Sequence, residues 1–135
     1  MGRPPVIIRR NGGIVCQIIF SDVSAAEMAR LPKMLQLEIM SEFQVMPEDL
    51  GAGGEGEKFG VLRRGSETFY RFRTRDYRIY FQKLEAGVVV RRVLHRNTLQ
   101  DFLFRANLPV GEDEALQDSA AFWSLIDEGR APKKS

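Results

Sequence analysis

An α+β fold, with an antiparallel sheet, an N-terminal helical hairpin packed on one of its faces and further helices at the C-terminal end, is what this sequence predicts. Three observations predict it. Residues 68–96 alternate apolar and polar side chains with a period of two, interrupted by turn signals. Upstream, Leu35, Ile39, Phe43 and Met46 recur at helical spacing on one stripe. The chain has 135 residues, 44% of them hydrophobic and nine of them Phe, which is enough to bury one core without disulfide staples.

The elements follow in order. Val6-Ile7-Ile8 and Ile14-Val15-Cys16-Gln17-Ile18-Ile19-Phe20 are β-branched runs separated by the turn signal Asn11-Gly12-Gly13. Ser24 and Glu27 have capping-box spacing for a first, short helix that Pro32 stops. Pro32 also suits the start of a second helix, where a missing N–H costs little. Residues 47–60 are expected to be a loop, in which five glycines follow Pro47 among four acids. Within it, Gly51, Gly53 and Gly56 match G-x-G-x-x-G, but the motif leaves a helix and precedes strands, the reverse of a dinucleotide site. Next come three antiparallel strands: 69–74 and 77–82 around a tight connection at Arg75-Asp76, then 88–94 after a turn at 85–87. Thr98 and Asp101 begin a short helix carrying Leu99, Phe102 and Leu103. Leu116, Ala120, Trp123 and Ile126 share one face of a last helix ended by Gly129, which either packs on the core or covers the other face of the sheet. One domain, 1–135, is expected, with its core at about 14–106 and a helical extension at about 112–129.

Charge is unevenly distributed. Residues 63–96 hold nine Arg and one Lys against Glu67, Asp76 and Glu85, a local excess of +7 in a chain whose net charge is +2. Arg outnumbers Lys fifteen to five, and planar guanidinium groups suit bidentate contact with phosphate, although a solvated basic face is the plain alternative. The longest apolar runs fall well short of a membrane span, and Arg9-Arg10-Asn11-Gly12-Gly13 interrupts any secretory leader. A single cysteine, Cys16, fits a reducing compartment and a buried structural thiol, so a cytoplasmic protein is expected. Neither a cofactor nor a metal is called for by any motif.

A two-residue turn at Arg75-Asp76 pairs residues whose numbers sum to a constant: Phe72 with Ile79, Tyr70 with Phe81, Arg71 with Tyr80, and Arg73 with Arg78. Alternation then sends Phe72, Ile79, Tyr70 and Phe81 to the helix-covered face and leaves Arg71, Arg73, Arg78 and Tyr80 on an open one. Like charges directly opposite each other cost ~0.2–1 kcal/mol, a cost that an anion held between Arg73 and Arg78 would reverse. The third strand has two registers. A three-residue loop places Arg92, Leu94 and Arg96 beside Arg78, and a two-residue loop places Arg91, Val93 and His95 there.

The run Phe-Tyr-Arg-Phe-Arg-Thr-Arg-Asp-Tyr-Arg-Ile-Tyr-Phe at 69–81 and Val-Leu-His-Arg-Asn at 93–97, after a strand, two helices meeting at Leu31-Pro32 and a glycine-bearing loop, resembles the RelE/ParE superfamily of bacterial toxin–antitoxin systems. The resemblance covers about residues 14–106. It implies a toxin that is a metal-independent endoribonuclease (mRNA interferase), inhibiting translation and arresting growth by cleaving mRNA on the ribosome. Its partners would be the ribosome, mRNA and a cognate antitoxin. In that chemistry the ribose 2′-hydroxyl attacks the adjacent phosphate while arginines stabilise the phosphorane. The positions carried over are Arg78 and Arg96 for the transition state, Arg71 and Arg73 for phosphate, and His95 or Tyr80 for proton transfer, with Tyr80 also able to stack a base. Arg75 and Arg92 extend the phosphate-binding set. Phe102 stands where relatives often carry Tyr; it can stack a base but cannot move a proton. The alternative implied by the same resemblance is a ParE-like toxin that inhibits gyrase, or a catalytically inactive relative that binds a protein.

Overall fold

A computed structural model describes residues 8–10, 13–51, 58–85, 87–100 and 111–129. The chain begins with a small antiparallel pair, β1 (Ile8–Arg10) and β2 (Gly13–Val15). It continues through β3 (Ile18–Phe20), α1 (Asp22–Ala29), α2 (Lys33–Glu42) and a 3-10 turn at Pro47–Gly51. Four longer strands follow: β4 (Phe59–Arg64), β5 (Glu67–Thr74), β6 (Tyr77–Leu84) and β7 (Gly87–His95). Residues 96–100 are helical (α3), and α4 (Glu112–Gln117) and α5 (Ala120–Glu128) close the described chain. Much of the glycine-bearing loop, at 52–57, and the ends at 1–7 and 130–135 lie outside the described residues, as does Phe102.

The main sheet has five strands in the order β3-β7-β6-β5-β4. It is mixed rather than wholly antiparallel, because β3 runs parallel to β7, Ile18–Phe20 pairing with Val88–Val90. The expectation of an antiparallel sheet came from tight turns, and tight turns fix direction only between strands they join. β3 reaches its partner after both helices and three other strands, so nothing local sets its direction. The strand β4 was also missed, its residues being divided between the expected loop and the stretch leading into β5. Its signal was the hairpin turn Arg64-Gly65-Ser66-Glu67, in which Gly65 takes φ 60°.

The β5–β6 register is the one its turn predicts, with Arg73 directly opposite Arg78 and Arg71 opposite Tyr80. Arg75 supplies the turn's left-handed residue at φ 53°. Between β6 and β7 the two candidate registers combine. Pairing closes tightly at Leu84↔Gly87, then a bulge at Arg91 shifts it by one, so that Tyr80 faces Arg92 and Arg78 faces Leu94. The bulge lets both Val90 and Val93, three apart, reach the same core, which strict alternation forbids.

Two cores result, one on each side of the sheet. Met28 of α1, Ile39 of α2 and Phe43 pack with Phe72, Ile79, Phe81, Val88, Val90 and Val93 in the first. The second joins Leu62, Phe69, Tyr80 and Leu94 to Leu99, Leu116, Phe122, Trp123 and Ile126 of the C-terminal helices. The face expected to be open is therefore covered by α4 and α5. Ring contacts knit it, Phe69 to Trp123 at 5.0 Å and Tyr80 to Phe122 at 5.0 Å.

Local signals were partly right. Ser21, not Ser24, caps α1; Ser24 is buried and its hydroxyl donates to Val90 O at 2.9 Å. Glu27 does not complete a capping box but ties α1 to β7, accepting from Val93 N–H at 2.9 Å. Gly129 caps α5 as expected, and it has a second reason to be glycine: a Cβ there would lie 1.8 Å from Arg91 O. The end of α5 thus sits directly on the bulge. No helix among the described residues is long and apolar enough to cross a membrane.

Candidate functional site: the arginine face under the C-terminal helices

Alternation along β5 and β6 aims Arg71, Arg73 and Arg78 at the side of the second core, as the register requires. There they meet the first turn of α4. Arg71, with 0% exposure, makes a two-pronged ion pair with Asp113: Nε donates to Oδ1 at 3.0 Å and Nη2 to Oδ2 at 2.8 Å. Its Nη1 donates to Lys58 O at 3.2 Å. Gly60 makes room for this pair, since a Cβ there would stand 2.2 Å from Arg71 Nη2 and 2.3 Å from Asp113 Oδ2. Burial works against the Arg71 charge, but Asp113's hydrogen bonds and field outweigh it, so the guanidinium pKa rises above its ordinary value.

Arg78 is 8% exposed, and its Nε donates to Glu112 Oε2 at 3.1 Å. The same Glu112 oxygen lies 3.9 Å from Arg73 Nη2. An anion does stand between the opposed arginines, and it is a carboxylate of the same chain. Tyr80 has 0% exposure, and its hydroxyl finds no hydrogen-bond partner among the described residues. Burial pushes its pKa well above the ordinary tyrosine value, Glu112 and Asp113 push the same way, and Arg71 and Arg78 offset them only in part. Tyr80 in this position is a neutral core residue, neither a base nor an accessible stacking platform.

The remaining expected site residues are dispersed. His95 follows Val93 by two and stacks edge-on against Tyr77 at 5.0 Å, which puts it on the first core's side of the sheet, opposite Arg71 and Arg78. Its Nδ1 accepts from Asn97 N–H at 3.1 Å, so a neutral ring carries its proton on Nε2. His95 and Arg78 therefore do not converge on one phosphate. Arg75 pairs with Glu38 at 3.0 Å and Glu42 at 2.9 Å. Arg96 pairs with Asp76 at 3.2 Å. Arg92 lies where α1, β7 and α5 meet, bound to Glu27 at 2.7 Å, to Glu128 at 3.2 Å and to Leu125 O at 2.9 Å. The Cys16 thiol pKa is raised, chiefly by burial, which disfavours the reactive thiolate.

Glu112 and Asp113 are the two residues that sequence reasoning missed. The available signal was the ledger of charge: a +7 excess at 63–96 in a chain of net +2 leaves −5 elsewhere, and part of that acid folds back onto the arginines. Arg64 repeats the pattern, gripping Asp127 of α5 with two hydrogen bonds at 3.0 and 2.8 Å while lying 4.7 Å from the Trp123 ring centroid.

The five-stranded sheet with arginines opposed across β5 and β6 is the frame in which the family match is read: the matching family model supports a RelE/ParE superfamily type II toxin. A family model described as "ParE toxin of type II toxin-antitoxin system, parDE" matches residues 18–99, more than half of the chain. The chain belongs to the ParE toxin family. A type II toxin implies a cognate antitoxin as partner. The matched span runs from β3 to Leu99, so α4 and α5, which cover the arginine face, lie beyond it. No curated protein and no solved structure matches the chain.

Proposed function

We propose that this toxin arrests growth by binding a protein target, with DNA gyrase the target its family resemblance suggests, and not by cutting RNA. One observation carries the reading: the groups a nuclease would need, Arg71, Arg78 and Tyr80, are interior and engaged with α4 or α5, while His95 faces the other way. Phosphoryl-transfer catalysis by electrostatic stabilisation needs donors aimed at the place where charge develops. Here the donors of Arg71 and Arg78 are aimed at Asp113 and Glu112.

The test is induced expression without antitoxin, followed by mapping of mRNA ends and measurement of the DNA-damage response. Growth arrest with induced damage response and intact mRNA is expected. Position-specific cuts at ribosome-bound codons that vanish in Arg78→Ala would overturn the reading. They would establish the second one, the ribosome-dependent mRNA interferase, whose support is the direct opposition of Arg73 and Arg78 across β5 and β6. That reading requires the Glu112 carboxylate to leave the pair.

A further inference from the structure

We infer that the outer face of α2 is a self-association surface, on which a second copy of this chain docks its own α2 antiparallel about a two-fold axis at Leu37. This does not depend on how growth is arrested, since neither the arginine face nor the second core takes part.

Two sides of α2 are apolar, and the fold buries only one of them. Leu35, Ile39 and Phe43 pack into the first core. Helical spacing puts Lys33, Met34, Leu37, Met40 and Ser41 on the opposite side, and all five are exposed. Met34 is 67% exposed, Leu37 59% and Met40 37%, and among the described residues only Leu84 is another large apolar side chain standing out in solvent. A solvated helix face is ordinarily polar, and apolar side chains gathered on one mark a place where another surface docks. Methionines flanking a leucine adapt their shape to whatever they meet.

The order of these residues points to a copy of the same face. Met34 and Met40 stand three residues before and after Leu37, and Lys33 and Ser41 stand four before and after, so the face reads alike in both directions. A two-fold interface needs a patch complementary to itself, and an antiparallel pair centred on Leu37 sets Met34 of each copy beside Met40 of the other. Charge agrees with this direction. Arg30 and Lys33 are exposed around the start of α2, whereas near its end Glu38 and Glu42 share one guanidinium, that of Arg75, at 3.0 and 2.9 Å. The last turn holds no basic residue to offset the helix's own C-terminal carbonyls. Antiparallel docking lays the basic end of each helix along the acidic end of the other, and parallel docking would set like ends together. A helix of this length spans ~15 Å, less than a standard interface needs, so the dimer is weak and reversible, with a dissociation constant on the order of 10–100 µM.

The experiment follows the full chain by sedimentation velocity from about 1 to 300 µM, a range in which mass action splits a weak dimer on dilution. A monomer–dimer transition inside that range is expected. Leu37→Glu, which sets two carboxylates face to face on the axis, should raise its midpoint at least about tenfold. Leu84→Glu, the same change at the exposed apolar residue off this face, should leave the midpoint unchanged. Orientation is read separately from cysteine pairs on a Cys16→Ser background, joined by a short bismaleimide. Leu37→Cys should link to itself, and Lys33→Cys should link to Ser41→Cys in a mixture but not to itself; this arm also serves if Leu37→Glu fails to fold. A chain that stays monomeric through the range overturns the inference and leaves the face to a different partner, the antitoxin included. A transition that survives Leu37→Glu in a folded chain overturns it as well, as does self-linking of Lys33→Cys in preference to Ser41→Cys.

Discussion

At the scale of single residues, the second core contains a group in an unfavourable position. The Tyr80 hydroxyl is fully buried without a partner among the described residues, and an unsatisfied polar group of this kind carries a penalty of about 1–3 kcal/mol. Tyr80→Phe should therefore leave the fold intact and raise its unfolding free energy by up to about 1 kcal/mol, measured by urea denaturation at neutral pH. The pH dependence follows from the same burial. The folded-state pKa is raised above the unfolded value of ~10, so the unfolded chain loses the phenolic proton first. Tyr80's contribution is fully present below pH ~10 and is lost as pH climbs toward the folded pKa. Tyr80→Phe should flatten that alkaline decline; an unchanged slope would mean that the hydroxyl is solvated. At this scale the sequence was legible for pairing and silent on exposure. Arg71, Arg73 and Arg78 share the face that alternation assigned them, but nothing in 63–96 told that a segment beginning at Gly111 would lie across it.

At the scale of elements, the β5–β6 hairpin could be read because its turn fixes its register, and the β6–β7 pairing could not because its register is decided by a bulge. Arg91 is extruded so that Val90 and Val93 can both be buried, a compromise that depends on which core is filled from the helix side. The direction of β3 was hidden for a related reason: its partner is set by the path of α1 and α2, not by a turn. The contact between α4 and β5 is equally non-local and rests on the Arg71–Asp113 pair. Breaking a buried pair by removing one member strands the other, at a cost of about 3–5 kcal/mol. Asp113→Ala should lose about that much stability in urea denaturation. Replacing both partners, Arg71→Met with Asp113→Leu, should recover most of the loss, because apolar groups of similar size avoid the desolvation of two charges. A double variant as unstable as Asp113→Ala would show that the pair is favoured by its geometry beyond mutual compensation.

At the scale of the whole molecule, the family-matched span by itself presents an apolar sheet face. Leu62, Phe69, Tyr80 and Leu94 are buried against Leu116, Phe122, Trp123 and Ile126, which lie after that span. Contiguous apolar surface of this kind drives association when uncovered. Deleting residues 111–135 should lower the thermal midpoint and promote binding of an apolar dye, followed by aggregation. A truncated chain melting at the full-length midpoint would contradict an integral second core. The same arrangement explains how the overall charge pattern misled. The basic stretch and the acidic remainder read as a surface and its solvent, whereas Arg64 with Asp127, Arg71 with Asp113, and Arg92 with Glu128 join the central strands to the C-terminal helices.

Trp123 is the sole tryptophan, wedged among Phe69, Phe122 and the Arg64 guanidinium, with its indole N–H donating to Gln117 O at 2.8 Å. The molecule consequently carries a native optical probe at the seam between α5 and the sheet. Its emission wavelength reports whether water has reached that seam, while circular dichroism follows the backbone as a whole. Loosening of the C-terminal segment and collapse of the rest can thus be timed separately in one unlabelled sample.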